Sequence, residues 1–291
     1  MNLDHYRTDE ETIIAMSGGR TSAYMLWRVL QEYDMKLPDH IKVVFDNTGK
    51  EMKETLDFVR DIEREWGIPV AWIERYVHKN PEGSKTKYGA TLKIVSHDTA
   101  ARNGEPFEAA VRAFGVLPNP INRYCSSHMK TKAMLDYAKQ CLKWEGHFQA
   151  YLGIRADEGA RARKLHNTSE GLQDRVCPLW LDGITKYDVA DFWKNSSFDL
   201  GLPNVNGVTD WGNCDLCFLK SASKKQSIIR ERPDLAEWWV KMEGLVSHQS
   251  GTGTVFRLDH PSIEQMTVIA TDQQGFAFDE DEETIPCFCG D

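Results

Sequence analysis

Along the first quarter of the chain, short and wholly apolar runs alternate with longer stretches in which apolar residues recur every three or four positions. Thr12-Ile13-Ile14-Ala15-Met16 lies between acidic residues and Ser17-Gly18-Gly19, the signature of a strand buried on both faces. From Ser22 onward Met25, Leu26, Val29 and Leu30 fall at helical spacing, so a strand, a glycine loop and an amphipathic helix follow in that order. The order then repeats. Ile41 to Phe45 reads as a second buried strand, Asp46-Asn47-Thr48-Gly49 as its C-terminal loop, and Met52, Leu56, Val59, Ile62 and Trp66 as the stripe of a second helix, with Pro69 to Ile73 as a third strand. Alternation of this kind predicts right-handed crossovers and a parallel sheet covered by helices, with ligands at the C-terminal ends of the strands.

Further along, the periodicity weakens. Residues 78–122 scatter His, Pro, Gly and Asn around one predicted helix near Phe107 to Phe114, and read as an insertion or lid. A helix from about Ser127 to Leu142 and a strand through Phe148 to Ile154 follow, and the stretch from Cys177 to Trp193 closes the expected core. Past Leu200 the texture changes to a Gly/Asn/Pro-rich segment, then Cys214 and Cys217, then a basic segment from Lys220 to Arg232, then a helix bearing Trp238 and Trp239. The expected division is therefore a nucleotide-binding domain over 1–200 and a cysteine-bearing, mainly helical C-terminal region over 201–291.

Composition narrows the class. A chain of 291 residues with 41% hydrophobic and 27% charged residues has the means to bury a core, which excludes wholesale disorder. No apolar run reaches the roughly 18 residues of a membrane span, and the N-terminus lacks a signal-peptide pattern, so the expected location is the cytoplasm with reduced thiols. The formal charge of −9 argues against a surface coated for nonspecific nucleic-acid binding while leaving local basic patches open.

Ser17-Gly18-Gly19-Arg20-Thr21-Ser22 joins a buried strand to a helix, where glycines permit unusual backbone conformations and bare N–H groups face the positive end of the helix dipole. That arrangement predicts a phosphate site. Its spacing is neither Walker A nor GxGxxG. The same residues resemble the PP-loop of the N-type ATP pyrophosphatases. Phe45-Asp46-Asn47-Thr48-Gly49-Lys50, Arg123-Tyr124-Cys125, Gly153-Ile154-Arg155-Ala156-Asp157-Glu158 and Pro178-Leu179 then follow in the order seen in the branch of phosphoadenosine phosphosulfate (PAPS) reductases. Over roughly residues 12–240 the likeness is closest to PAPS-reductase-like proteins of phages and prophages, and more distant to the ATP-using enzymes of DNA phosphorothioation. The resemblance implies an adenine-nucleotide α-hydrolase-like α/β sandwich that binds ATP with Mg²⁺ or a sulfonucleotide. It also implies attack at the α-phosphate, with pyrophosphate released.

On this reading Ser17, Gly18, Gly19, Arg20, Thr21 and Ser22 hold phosphate oxygens, and Asp46, Asn47 and Thr48 form the loop beside the nucleotide. Asp46 has two further readings, a contact to ribose or Mg²⁺ and a plain Asx turn. Arg155, Glu158 and Arg161, with Arg163, cluster where guanidinium groups neutralise charge on a transferred group, or else form a solvated helix start. Arg123 adds a phosphate contact. Lys130 and Lys132 are equally well plain helix-surface charges.

The chain has seven cysteines. Cys214-Asp215-Leu216-Cys217 has the spacing for two thiolates on one metal, the alternatives being a redox dithiol and two core cysteines. Its expected partners are Cys125, Cys287 and Cys289. In sulfonucleotide reductases with a [4Fe-4S] cluster a Cys-Cys pair lies where this chain has Cys125-Ser126, so the fourth ligand comes from Cys287 or Cys289, or one iron stays open. Zinc on the same thiolates is the alternative. Lys220, Lys224, Lys225, Arg230 and Arg232 suit an anionic cluster, a nucleic-acid backbone or a merely exposed charged face. Cys141 reads as core.

Three functions follow. The first is an ATP-using enzyme that activates an acceptor by adenylation or feeds sulfur transfer, with a cysteine-bound cluster. The second is a true sulfonucleotide reductase, and the third a non-catalytic accessory protein of a mobile element that contacts nucleic acid or protein. The acceptor is left open, nucleic acid among the candidates, and a homodimer is admissible.

Overall fold

The structure, a computed structural model, describes residues 3–204, 209–246, 254–272 and 285. Its elements in chain order are β1 (Thr12–Met16), α1 (Arg20–Glu32), β2 (Ile41–Asp46), α2 (Lys53–Trp66), β3 (Val70–Lys79), β4 (Tyr88–Val95), α3 (Glu105–Phe114), α4 (Tyr124–Ser126), α5 (Lys132–Tyr137) and β5 (Phe148–Leu152). After these come α6 (Gly159–Leu165), β6 (Ser169–Glu170), β7 (Gln173–Val176), α7 (Pro178–Leu181), α8 (Lys186–Lys194), α9 (Ala222–Glu231), α10 (Ala236–Val246) and α11 (Ile263–Thr271).

The strands form one sheet in the order β4-β3-β2-β1-β5-β7-β6. Its centre is parallel, as the apolar runs predict, whereas β4 on β3 and β6 on β7 are antiparallel at the two edges. Because Ile14 and Met16 pack toward one core and Ile13 toward another, β1 is apolar on both faces. Helices α1 and α2 bury their stripes on the first face. The second is covered by the continuous helical stretch 124–142, in which π-helical turns at Ser127–Thr131 and Ala138–Leu142 flank α5. Within 78–122, β4 extends the sheet and α3 supplies Phe107, Ala110 and Val111 to the main core. That stretch thus extends the sheet at its edge and packs into the main core.

Residues 1–200 and 201–291 share this main core, since Phe107 of α3 meets Trp238 and Trp239 of α10 at ring-centroid distances of 5.2 and 5.8 Å. Register fixes where chemistry is placed. Met16 pairs with Phe45, Ala15 with Leu152, and Asp46 with Ile73. Consequently Ser17, Asp46 and Gly153 leave one edge of the sheet together. No helix among the described residues is long and apolar enough to cross a membrane.

Candidate functional site

The loop from Ser17 to Ser22 leaves β1 and enters α1. Gly18 has φ +80°, and a Cβ there would lie 2.4 Å from Thr55 Cγ2. Gly19, the N-cap, is extended at φ −96°, ψ 162°, a conformation open to any residue, so only the first of the two loop glycines is conformationally required. Ser22 Oγ donates to the Gly19 carbonyl (3.0 Å) and lies 2.8 Å from Ser17 Oγ, while the Ser17 amide donates to Ser22 Oγ (3.1 Å). These hydroxyls brace the loop internally.

A cavity opens over this loop, lined by Ser17 to Thr21 and by Thr55, Arg155, Lys186, Gly212 and Asn213 among others. Arg155 Nη1 donates to Thr21 Oγ1 at 2.9 Å, which aims a cation at the loop. Arg20, expected on phosphate, is instead held by Asp199, with Nε–Oδ1 at 2.6 Å and Nη2–Oδ2 at 2.5 Å; its Nη1 is buried with no protein partner. Glu158 accepts from the Arg155 amide (3.1 Å) and from Arg161 Nη1 (2.5 Å), so its carboxylate fixes the helix start. Arg161 and Glu158 do not line the cavity.

A second cavity adjoins the first through Ser17 and is lined by Asp46, Lys130, Met134, Leu152 and Gly153. Asp46 is 7% exposed, and its Oδ1 has no hydrogen-bond partner. Burial raises its carboxyl well above the ordinary range, a shift that Lys130 opposes and Glu51 reinforces. Lys130, weighed in the sequence as a surface charge, is 8% exposed and lies 3.9 Å from Glu51 Oε1. The neighbouring loop residues do other work. Asn47 Nδ2 donates to Glu74 (2.6 Å) and to the Ala101 carbonyl (2.9 Å), its Oδ1 caps Gly49, and Thr48 bonds Glu51 through both amide and hydroxyl. Arg123 Nε donates to the Pro120 carbonyl (2.8 Å) and lines neither cavity.

The C-x-x-C turn is fastened to the loop that follows Asp46. Cys214 forms a β-bridge with Glu51, the Asp215 amide donates to the Lys50 carbonyl (2.8 Å), and Lys50 Nζ pairs with Asp215 Oδ2 (2.8 Å). Trp239 Nε1 donates to the other Asp215 oxygen at 2.7 Å. Burial, with Glu51 and Cys217 adding, pushes the Cys214 thiol well up. A thiolate here needs a nearby cation, which a bound metal supplies. The chemistry of this donor pair therefore fits a thiophilic metal. Among the described residues no three His, Cys, Asp or Glu side chains are grouped to hold a metal ion, so Cys125 does not join Cys214 and Cys217 in one shell. Cys287 and Cys289 lie outside the described residues. Cys141 is exposed, against the expectation of a core position, and Cys177 is buried with its thiol pushed up to about 12 by desolvation.

Most of the basic segment is turned to partners within the fold, whereas Arg230 and Arg232 are exposed. Lys220 Nζ donates to the Gly212 carbonyl, Lys225 Nζ lies 2.7 Å from His260 Nδ1, Lys224 pairs with Asp210 (2.8 Å) and Arg232 with Asp234 (2.8 Å). Conversely, Lys186, Thr55, Glu51 and the burial of Lys130 escaped the sequence. Only Lys186 left a trace, through the Thr185-x-x-Asp188 capping box that starts α8.

No protein-family model matches the chain. It is 29% identical over 214 residues to the uncharacterized nin region protein ORF290 of Escherichia phage lambda, covering 73% of this chain and 67% of that one. It is 24% identical over 258 residues to the uncharacterized protein MJ0066 of Methanocaldococcus jannaschii, of which it spans 44%. Among solved structures it is similar to the U34-tRNA thiolase NcsA from Methanococcus maripaludis with its [4Fe-4S] cluster, at a TM-score of 0.40 and 13% identity, over 91% of this chain and 82% of that one.

Proposed function

We propose that the chain is an ATP-using enzyme of PP-loop type that activates an acceptor by adenylation or sulfur transfer, with a cysteine-bound iron–sulfur cluster beside the nucleotide. The observation that carries this reading is the cavity over Ser17 to Thr21, where loop amides, a helix N-terminus, Arg155 and Lys186 face one space. Its neighbour holds the unpartnered Asp46 Oδ1.

In that arrangement the loop amides hold the β- and γ-phosphates, and Asp46 is the group that would hold Mg²⁺ or the ribose. An acceptor oxygen attacks the α-phosphorus, the bond from that phosphorus to the bridging oxygen breaks, and pyrophosphate leaves. Arg155 and Lys186 neutralise the charge that grows on the leaving group. Cys214 and Cys217 would hold the cluster together with Cys287 or Cys289, and Cys125 is not part of that set; when bound, the cluster supplies thiophilic iron for handling sulfur. The Ile285 amide donates to the Leu219 carbonyl at 2.9 Å, two residues from Cys217.

Two measurements test the reading. Calorimetry is expected to show Mg-ATP binding that weakens about tenfold or more in Arg155→Ala, the loss of a charge-assisted contact; a wild-type protein that binds no ATP refutes the site. Anaerobically purified protein is expected to be brown, with absorption near roughly 400 nm that is lost in Cys214→Ser/Cys217→Ser. A colourless protein with about one zinc per chain rejects iron and keeps the thiolates.

A further inference from the structure

The hairpin of β3 and β4 carries exposed positive charge that the proposed chemistry has not used. Pairing of β2 with β3 ends at Asp46 and Ile73, yet β3 continues through Glu74 to Lys79. Those six residues carry the strand about 20 Å further. They run past the C-terminal edge of the sheet, the edge from which Ser17, Asp46 and Gly153 emerge. The hairpin is thus an arm that overhangs the nucleotide side.

The arm is built to keep its shape. The Asn80 amide donates to the Lys87 carbonyl (3.0 Å), and Asn80 Nδ2 donates to both the carbonyl and the hydroxyl of Thr86 (3.0 and 2.9 Å). Its tip is a tight turn closed by the Ser84 amide on the Pro81 carbonyl (3.2 Å), with Gly83 at φ +84°.

Its charge is opposite to that of the chain. From Tyr76 to Val95 the arm carries Lys79, Lys85, Lys87 and Lys93 against Glu82 alone, in a protein of net charge −9. All four lysines are exposed, and among the described residues none pairs with a carboxylate. Lys93 Nζ sits 4.0 Å from the Tyr76 ring centroid and Lys87 Nζ 5.3 Å from that of Tyr88, contacts that leave their charge uncompensated. Protection of an exposed sheet edge accounts for Lys93, on the outer strand. It does not account for Lys85 and Lys87, which precede the first paired residue of β4.

We propose that this arm binds the phosphate backbone of a nucleic-acid acceptor and presents it to the nucleotide site. The proposal rests on the acceptor-activating reading above and gives the acceptor its chemical class: the complement of rigid, spaced and unpaired lysines is a chain of phosphates, whether RNA or DNA.

The test is equilibrium binding of labelled single-stranded RNA, an RNA stem-loop and duplex DNA to the full chain across a salt series, with ATP affinity measured on the same preparations. In Lys79→Gln/Lys85→Gln/Lys87→Gln, affinity is expected to fall about tenfold and the slope of log K against log salt to become shallower by roughly two to three, with ATP affinity unchanged. Glu82→Lys, at an exposed turn position, is expected to tighten binding and steepen the slope by about one. The preferred probe identifies the acceptor as RNA or DNA. Equal affinity and slope in the wild type and both variants overturn the proposal, as does failure of the wild type to bind any probe at the lowest salt. Arm-dependent binding by a protein that binds no ATP would uphold the arm and refute the nucleotide reading.

Discussion

Single residues divide the proposed phosphate-binding part of the loop from its scaffolding. Gly18 is the position that admits no side chain: a non-glycine residue at φ +80° costs about 1–2 kcal/mol, and its Cβ would also meet the Thr55 methyl at 2.4 Å. Gly18→Ala is therefore expected to weaken Mg-ATP binding at least about tenfold and to lower the melting temperature. Adding Thr55→Ser removes the clashing methyl and restores part of both, because the backbone cost remains. Calorimetry and thermal melts of the single and double variants check this; full restoration would show that crowding alone made the glycine necessary. Arg20 illustrates the limit of a motif. Its side chain is in the right segment but bonds Asp199, on the far side of α8 in sequence, and nothing local announces that partner.

Among elements, the decisive contact is between the loop after β2 and the C-x-x-C turn. Lys50 and Asp215 are both buried and lie 2.8 Å apart, and Asp215 stands between the two cysteines in sequence. Removing one partner of such a pair leaves an uncompensated charge, at a cost of about 3–5 kcal/mol. Lys50→Met is expected to be destabilised by that order. Lys50→Met/Asp215→Asn is expected to be destabilised by clearly less than the two single losses combined, a coupling that urea denaturation of the four proteins measures. Strict additivity would show that the pair does not hold the turn. The sequence named Cys214 and Cys217, and it placed Asp46 on its loop. It could not show that the two loops meet, since the contact joins segments over 160 residues apart and depends on the Trp239 indole that also binds Asp215.

For the whole molecule the question is which reaction the assembled thiols permit. A sulfonucleotide reductase needs a nucleophilic thiolate that attacks the sulfonate sulfur and is later released by a thioredoxin. Burial raises the thiols of Cys177 and Cys214, Cys217 is buried, half-buried Cys125 lines neither cavity, and Cys141 is exposed beyond the second π-helical turn's start, away from both cavities. Cys287 and Cys289 follow the acidic run Asp279 to Glu283, a setting that opposes both a thiolate and a doubly charged sulfonucleotide. Thioredoxin-dependent sulfite release from PAPS or adenosine phosphosulfate is therefore expected to be absent, while pyrophosphate release from ATP appears once an acceptor is supplied. Sulfite formation abolished by Cys287→Ser or Cys289→Ser would reverse the order of the two readings. By itself the sequence determined the parallel centre of the sheet and the glycine turn between β1 and α1, because both are written in local periodicity and in a glycine whose backbone freedom is a property of one residue. Only the tertiary structure decided the antiparallel edges, the burial of Lys130, the pairing of the α9 lysines and the exposure of those on the arm. A lysine's charge is fixed by its identity, but whether that charge meets a carboxylate, an imidazole or solvent depends on which distant segment folding brings beside it.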